Sequence, residues 1–309
     1  MAILLDTDAE PEAWRAALRD LDPGLEIRPW PAVGDPADIE FALVWRPRTP
    51  DFAAFPRLRG IFNLGAGVER LLARTDLPAA VPIVRLVDPI GLTAPMTEYV
   101  LWHVLRLHHR GPELEAMQRE RRWAELMHPL ARDRRVGVLG QGALGGDAAA
   151  ALIRLGFDVA AWSRRPKALP GGRNFAGEGE LAAFLGRSEI LVVLLPLTPD
   201  TRGLLDARRL AQLPRGAGLI NAARGPIIVD ADLLAALDGG QVGHATLDVF
   251  HREPLPADHP FWGHPRVTVT PHVASLTHAE TAAPIVLAGI GEIRAGRLPA
   301  NTIDRTAGY

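Results

Sequence analysis

Four side chains with chemistry to offer each follow a short apolar run in the second half of this 309-residue chain. Arg224 closes "LINAAR". Asp248 and Glu253 lie in "TLDVFHREPLP" (246–256), and His272 sits in "VTVTPHVASLT" (267–277). A guanidinium is a permanent cation whose forked N–H donors match a carboxylate or a phosphate. An imidazole can give or take a proton near neutral pH, and a carboxylate can orient it. Singly, each has an ordinary explanation: a surface ion pair for Arg224, a cap for His272, a solvated loop for Glu253. Asp248 could simply cap the next turn. What gathers them is their place: Arg224, Asp248 and His272 fall just past strand ends, with Glu253 in the loop after Asp248, all downstream of a fourth motif.

That motif is "RVGVLGQGALGGDAAAALIRLGFDVAAWSRRPK" (135–167). An apolar strand, Val136–Leu139, runs into Gly140-Gln141-Gly142-Ala143-Leu144-Gly145. A helix follows, ending at Gly156, and then a strand, Asp158–Trp162. In such a unit the first glycine permits the turn and the second lets a pyrophosphate approach the backbone. The third lets helix and strand pack closely. Free N–H groups at the helix start then face the phosphates. A cofactor with a free ribose 2′-hydroxyl usually meets an acid after the second strand. Here Ser163, Arg164, Arg165 and Lys167 stand there instead. Three cations and no acid predict NADP(H), with NAD(H) the second choice.

These groups need a frame, and the apolar pattern supplies one. Strands are predicted at Ile3–Leu5, Phe41–Trp45, Gly60–Leu64 and Ile83–Leu86, with helices at Pro11–Leu21 and Val68–Ala73. A helix at Pro95–His108 and a charged, looser segment from 118 to 135 precede a second series. Its strands are Val136–Leu139, Asp158–Trp162, Ile190–Leu194, Gly218–Asn221, Ala245–Leu247 and Val267–Val269. A last helix spans His278–Ala295, with Gly296 as its stop. Strands alternating with helices imply two α/β domains with doubly wound parallel sheets. The default ligand site is the cleft between them.

The first series offers its own strand-end groups. In "IFNLGAGVER" (61–70), glycines bracket Ala66, and backbone N–H groups at such a turn suit a carboxylate. In "ALVWRPRTP" (42–50), Trp45 and Arg46 end a strand; Arg46 is as readily a solvent-facing side chain as a second cation. His103, His108 and His109 read as helix-surface residues, and no His, Asp or Glu spacing points to a metal. Trp123 and Trp262 lie in loops, where packing in a core or an interface is the expected role.

Composition narrows the class. The chain is 48% hydrophobic and 23% charged, with net charge −2 and no cysteine. That excludes disulfides, thiolate metal sites and thiol catalysis, and offers no basic surface to nucleic acid. The first residues do not read as a signal peptide, and the longest apolar run, "ILVVLLPL", is too short to span a bilayer. A cytoplasmic protein is expected.

The chain resembles the D-isomer-specific 2-hydroxyacid dehydrogenases along nearly its whole length. Within them it is most similar to the bacterial glyoxylate/hydroxypyruvate reductases of the A type. The resemblance rests on "VLGQGALG", "WSRRPK", "LLPLTPDTRGLL", "LINAARG", "LDVFHREPLP", "TPHVAS" and "DRTAGY", in that order. It implies a flavodoxin-like substrate domain (1–99 plus 277–309) and a Rossmann NAD(P)-binding domain (100–276), with the active site in the cleft between them. The C-terminal helix would return to the first domain, and the subunits would pair as homodimers. Arg224, Glu253 and His272 become the catalytic set. Beyond the glycine turn and Ser163, Arg164 and Arg165, the resemblance implies cofactor contacts from Leu195, Pro196, Thr201, Ala222, Ala223, Asp248 and Ser275. Trp45, Arg46, Ala66 and Gly67 would meet the substrate, although Glu69 replaces the family's usual Asp. The implied activity is NADP(H)-dependent reduction of glyoxylate and hydroxypyruvate. Two alternatives stay open: a dehydrogenase of another 2-hydroxy acid, and a non-catalytic NADP(H)-sensing binding module.

Overall fold

A computed structural model describes residues 2–305, so the last four residues of the "DRTAGY" motif lie outside it. The chain divides into two units. One holds the residues up to Leu92 and those from Leu276 onward, and the other runs from Thr93 to Ser275.

The first unit has five parallel strands: β1 (Ala2–Thr7), β2 (Glu26–Pro29), β3 (Ile39–Trp45), β4 (Gly60–Asn63) and β5 (Ile83–Arg85), in the order β2-β1-β3-β4-β5. Its helices are α1 (Pro11–Leu21), the single turn α2 (Glu69–Leu72) and the C-terminal helix Ala279–Arg294. Period-2 alternation along β1 sends Ile3 and Leu5 to one face and Ala2 and Leu4 to the other. Trp14 and Leu18, four residues apart on α1, join Ile3 and Leu5. Ala282, Val286, Ile290 and Ile293 of the C-terminal helix close the same cluster. Each large side chain buried there contributes roughly 1.5–3 kcal/mol.

The second unit opens with α3 (Ala94–His108) and α4 (Gly111–Arg119). Alternating elements follow: β6 (Arg135–Leu139), α5 (Ala143–Arg154), β7 (Asp158–Ser163), β8 (Arg173–Ala176), α6 (Gly177–Arg187) and β9 (Ile190–Val193). The series ends with α7 (Ala207–Leu210), β10 (Ala217–Asn221), α8 (Asp230–Asp238), β11 (Val242–Leu247) and β12 (Val267–Val269). The seven strands are all parallel and lie in the order β12-β11-β10-β9-β6-β7-β8. On β9, Ile190 and Val192 face one cluster while Leu191 and Val193 face the other. A strand covered on both faces needs that uninterrupted apolar run.

Several elements differ from the sequence expectation. β2 and β8 are edge strands with little buried surface, so their apolar signal is weak. α4 occupies Gly111–Arg119, where no helix is predicted. β7 extends one residue further, to Ser163. No helix among the described residues is long and apolar enough to cross a membrane.

Candidate active site

In the second unit, strand order reverses between β6 and β9, and ligands of open α/β sheets gather outside the carboxyl ends of strands at such a point. The turn after β6 is built for close backbone approach. Gly140 has φ +115°, and a Cβ there would lie 2.6 Å from the Leu194 carbonyl oxygen. A Cβ on Gly145 would lie 1.8 Å from the Gly140 carbonyl oxygen, so α5 can meet the turn only through glycine. At Gly142 the opposite holds: no heavy atom stands within 4 Å of the Cβ position. Gly142 also precedes α5 with no side-chain cap, so the first N–H groups of α5, beginning at Ala143 and Leu144, are left for a ligand. The turn therefore fits a dinucleotide pyrophosphate.

The loop after β7 is stitched to this turn. Lys167 Nζ donates to the Gln141 carbonyl at 2.7 Å. Asn174 Nδ2 donates to Gln141 Oε1 at 2.8 Å, and Gln141 Nε2 donates to the Ala168 carbonyl at 2.8 Å. Ser163 is buried and donates to the Arg165 carbonyl, while Arg164 and Arg165 are exposed. The exposed guanidinia fit a phosphate at the adenosine end of the cofactor. After β9, Leu195 is buried, and Thr201 Oγ1 donates to the Pro196 carbonyl at 2.7 Å, fixing that loop.

Across the sheet the strand ends carry side chains. Asn221 ends β10; its amide accepts from Ala223 N–H and donates to the Arg224 carbonyl, shaping the turn through Ala222 and Ala223. Arg224 is half-buried and stands in extended backbone before a short turn, Gly225–Ile227. Gly225 presses on the next loop: a Cβ there would lie 2.1 Å from the Phe250 carbonyl carbon. That loop carries Glu253. Glu253 Oε1 accepts Phe250 N–H at 3.0 Å, and Oε2 meets His272 Nδ1 at 2.7 Å. A carboxylate only accepts, so Nδ1 carries the hydrogen and Nε2 is left for a reacting partner.

His272 has φ +57°, a conformation uncommon outside glycine. Asp248, fully buried, organises the backbone around it. Asp248 Oδ1 accepts from Thr270 Oγ1 at 2.6 Å and from Val273 N–H at 2.9 Å, and Oδ2 accepts Ala274 N–H at 3.0 Å. Ser275 follows directly, half-buried. Sequence reasoning missed this support: Thr270 and Asn221 stand in "TPHVAS" and "LINAARG", but only as polar side chains at the end of an apolar run.

In the first unit, Trp45 ends β3 and Arg46 has φ +50°, its guanidinium 5.9 Å from the Trp45 ring centre. A Cβ on Gly65 would lie 2.3 Å from the Trp45 ring. Buried Asn63 donates to the carbonyls of Gly65 and Gly67 at 2.8 and 2.9 Å, pinning the turn at Ala66 and Gly67, both half-exposed.

One expectation needs correction. His103 and His108 are buried, not on the helix surface, because α3 is covered by α4, α5 and β10. Trp123 packs in no core: it is 97% exposed in the single chain. Trp262 is likewise half-exposed, its indole N–H donating to the Pro256 carbonyl. Among the described residues no group of three or more His, Asp or Glu is arranged to hold a metal.

A doubly wound sheet with a glycine turn at its switch point defines a Rossmann-type dinucleotide-binding unit. The residues beside that turn, and the comparisons with known proteins, narrow it. Residues 101–274 match the family described as D-isomer specific 2-hydroxyacid dehydrogenase, NAD binding domain. Glyoxylate/hydroxypyruvate reductase A of Serratia proteamaculans is 44% identical over 303 residues, 96% of each chain. Its namesake from Yersinia enterocolitica is 43% identical over 306 residues, 97% of each. A D-isomer specific 2-hydroxyacid dehydrogenase of Xanthobacter autotrophicus, solved with NADPH and MES, has a TM-score of 0.96 at 48% identity. The match covers all of this chain and 99% of that one. The NADPH-dependent glyoxylate/hydroxypyruvate reductase of Sinorhizobium meliloti, solved with NADP and sulfate, has a TM-score of 0.94 at 39% identity and the same coverage. The chain belongs to the D-isomer specific 2-hydroxyacid dehydrogenase family.

Proposed function

We propose that this chain reduces small 2-oxo acids with NADPH, glyoxylate to glycolate and hydroxypyruvate to D-glycerate. The observation that carries the reading is the 2.7 Å contact between His272 Nδ1 and Glu253, which leaves Nε2 for the substrate. It lies at the same sheet edge as the glycine turn. The names and bound cofactors of the relatives support the choice of reaction and of NADP(H).

When bound, the nicotinamide supplies the hydride. The chain's own residues do the rest. Arg224 holds the substrate carboxylate and polarises the ketone oxygen with forked N–H donors. His272, doubly protonated, gives its Nε2 proton to that oxygen as a general acid. Glu253 keeps the ring oriented and stabilises its charged form before transfer. Gly140, Gly142, Ala143, Leu144 and Gly145 hold the pyrophosphate, and Ser163, Arg164 and Arg165 hold the 2′-phosphate. Leu195, Pro196, Thr201, Ala222, Ala223, Asp248 and Ser275 complete the cofactor site in this reading. Trp45, Arg46, Ala66 and Gly67 are the proposed substrate contacts. Residues 1–99 with 277–309 form the substrate domain in this reading, and 100–276 the cofactor domain.

The reading includes a cytoplasmic homodimer. Support for pairing is the run of exposed apolar side chains between residues 102 and 130, namely Trp102, Leu105, Leu114, Trp123, Met127 and Leu130, since exposed apolar surface marks interaction sites when it is contiguous. Light scattering that gives a monomer mass would remove the dimer.

The test is a panel of initial rates with NADPH and NADH against glyoxylate, hydroxypyruvate, pyruvate and a bulky 2-oxo acid. Rapid NADPH oxidation with the first two supports the reading. A preference for NADH overturns the phosphate site at Arg164 and Arg165. Rates on the bulky acid alone keep the mechanism and replace the substrate.

A further inference from the structure

α3 sends one polar side chain toward the strand ends. Tyr99 is buried, and its hydroxyl lies 2.7 Å from Thr270 Oγ1. The direction of that bond follows from its neighbours. Thr270 gives its one hydroxyl proton to Asp248 Oδ1 at 2.6 Å, because a carboxylate can only accept. Thr270 Oγ1 is therefore the acceptor, and Tyr99 the donor. Burial pushes the phenol pKa up, the Thr270 hydrogen bond pulls against it and the nearby Asp248 charge adds to it, so Tyr99 keeps its proton.

The chain of bonds ends at the general acid. Asp248 takes the N–H groups of Val273 and Ala274, and His272 N–H donates to the Thr270 carbonyl at 3.0 Å. In the turn that holds His272 at φ +57°, the backbone N–H groups of His272, Val273 and Ala274 thus all bond to Thr270 or Asp248. A strained backbone persists only where its surroundings over-determine it. The supply of donors to Asp248 is what does so here.

We infer that Tyr99 is a positioning residue for His272, acting through Thr270 and Asp248 from a helix outside the catalytic loops. The inference rests on the proposed reduction for its kinetic readout, but not for its structural one. Tyr99 never touches substrate: removing its hydroxyl frees Thr270 to turn away from Asp248, and the His272 turn loosens. Proton delivery slows, while the glycine turn that holds the cofactor is unaffected.

The test is a double-mutant cycle on the full chain with Tyr99→Phe, Thr270→Val and both together. Tyr99→Phe should lower kcat for glyoxylate by roughly 3- to 10-fold, the span of one net hydrogen bond, and leave the NADPH KM within about 2-fold. The double variant should be no slower than Thr270→Val alone, because the two hydroxyls act in series. ¹⁵N-histidine NMR of the cofactor-free protein, with His272 assigned by loss of its signal in His272→Gln, supplies the second readout. The His272 ring nitrogens should shift in the same direction in both single variants. Multiplying rate losses, or an unmoved His272 signal in Tyr99→Phe, overturn the relay. If the wild type reduces no 2-oxo acid, the catalytic reading falls and the NMR signal alone decides the relay.

Discussion

The carboxyl edge of the seven-stranded sheet is made in two different ways. Around β6 and β7 it is made by leaving atoms out. Gly140 and Gly145 allow backbone to meet backbone, and Gly142 opens a space. Around β10, β11 and β12 it is made by putting side chains in, each held by another: Asn221 under Arg224, Glu253 on His272, Asp248 under the His272 turn. The difference fits the tasks proposed for the two regions. A phosphate is satisfied by N–H groups that any sequence has, provided nothing blocks them. Proton transfer needs one particular group at one particular place.

The two halves should therefore break in opposite ways. On the side-chain half, truncation is severe. His272→Ala should slow kcat by roughly 10²–10⁴-fold with NADPH still bound, measured by steady-state rates and cofactor fluorescence titration. Arg224→Ala should cost kcat/KM about 2–5 kcal/mol, because a substrate carboxylate loses its forked partner. On the backbone half, truncation is impossible and addition does the damage. Gly145→Ala puts a methyl 1.8 Å from the Gly140 carbonyl oxygen. That overpacking should cost about 1–3 kcal/mol, appearing as weaker NADPH binding and a lower Tm, with little change in kcat at saturating cofactor. If His272→Ala lost the cofactor too, or Gly145→Ala lost only kcat, the division of labour would be wrong.

The smallest effect lies away from both halves, under α3. His103 is wholly buried, and its two ring nitrogens have no hydrogen-bond partner among the described residues. Burial, with Arg106 and His244 adding to it, lowers its pKa from 6.5 to about 4. Burial and then Arg106 do the same to His244. The folded-state pKa lies below the unfolded one, so the unfolded chain takes up protons first as pH falls. Stability from these groups is whole above 6.5 and is lost as pH falls toward about 4. Tm should drop between about pH 7 and about pH 5, and His103→Leu should flatten that drop in a calorimetric pH series.

The same contrast explains what could be read from the sequence. The glycine turn was legible because its spacing and its strand–helix setting are both fixed by geometry. Arg224, Glu253 and His272 were legible as types at strand ends, and through the family resemblance. What holds them was not. Thr270 and Asn221 lie inside "TPHVAS" and "LINAARG", but as polar residues with no reactive group to mark them, and Thr270 bonds to Tyr99 on α3, which is distant in sequence. The burial of His103 and His108 escaped for a related reason. His103 lies on the stripe of Met96, Tyr99 and Val100, but an imidazole among apolar residues reads as surface until the packing of α4 and α5 on the helix is known. The edge strands β2 and β8 were missed because half-exposed strands need no apolar run.

The most direct test of the central claim is product stoichiometry. Glyoxylate and NADPH are incubated with the wild type and with His272→Gln, and glycolate and NADP⁺ are quantified together. The account predicts equal amounts of both from the wild type, and almost none from the variant while it still binds NADPH. NADPH bound by the wild type without glycolate, or full glycolate from the variant, would contradict it.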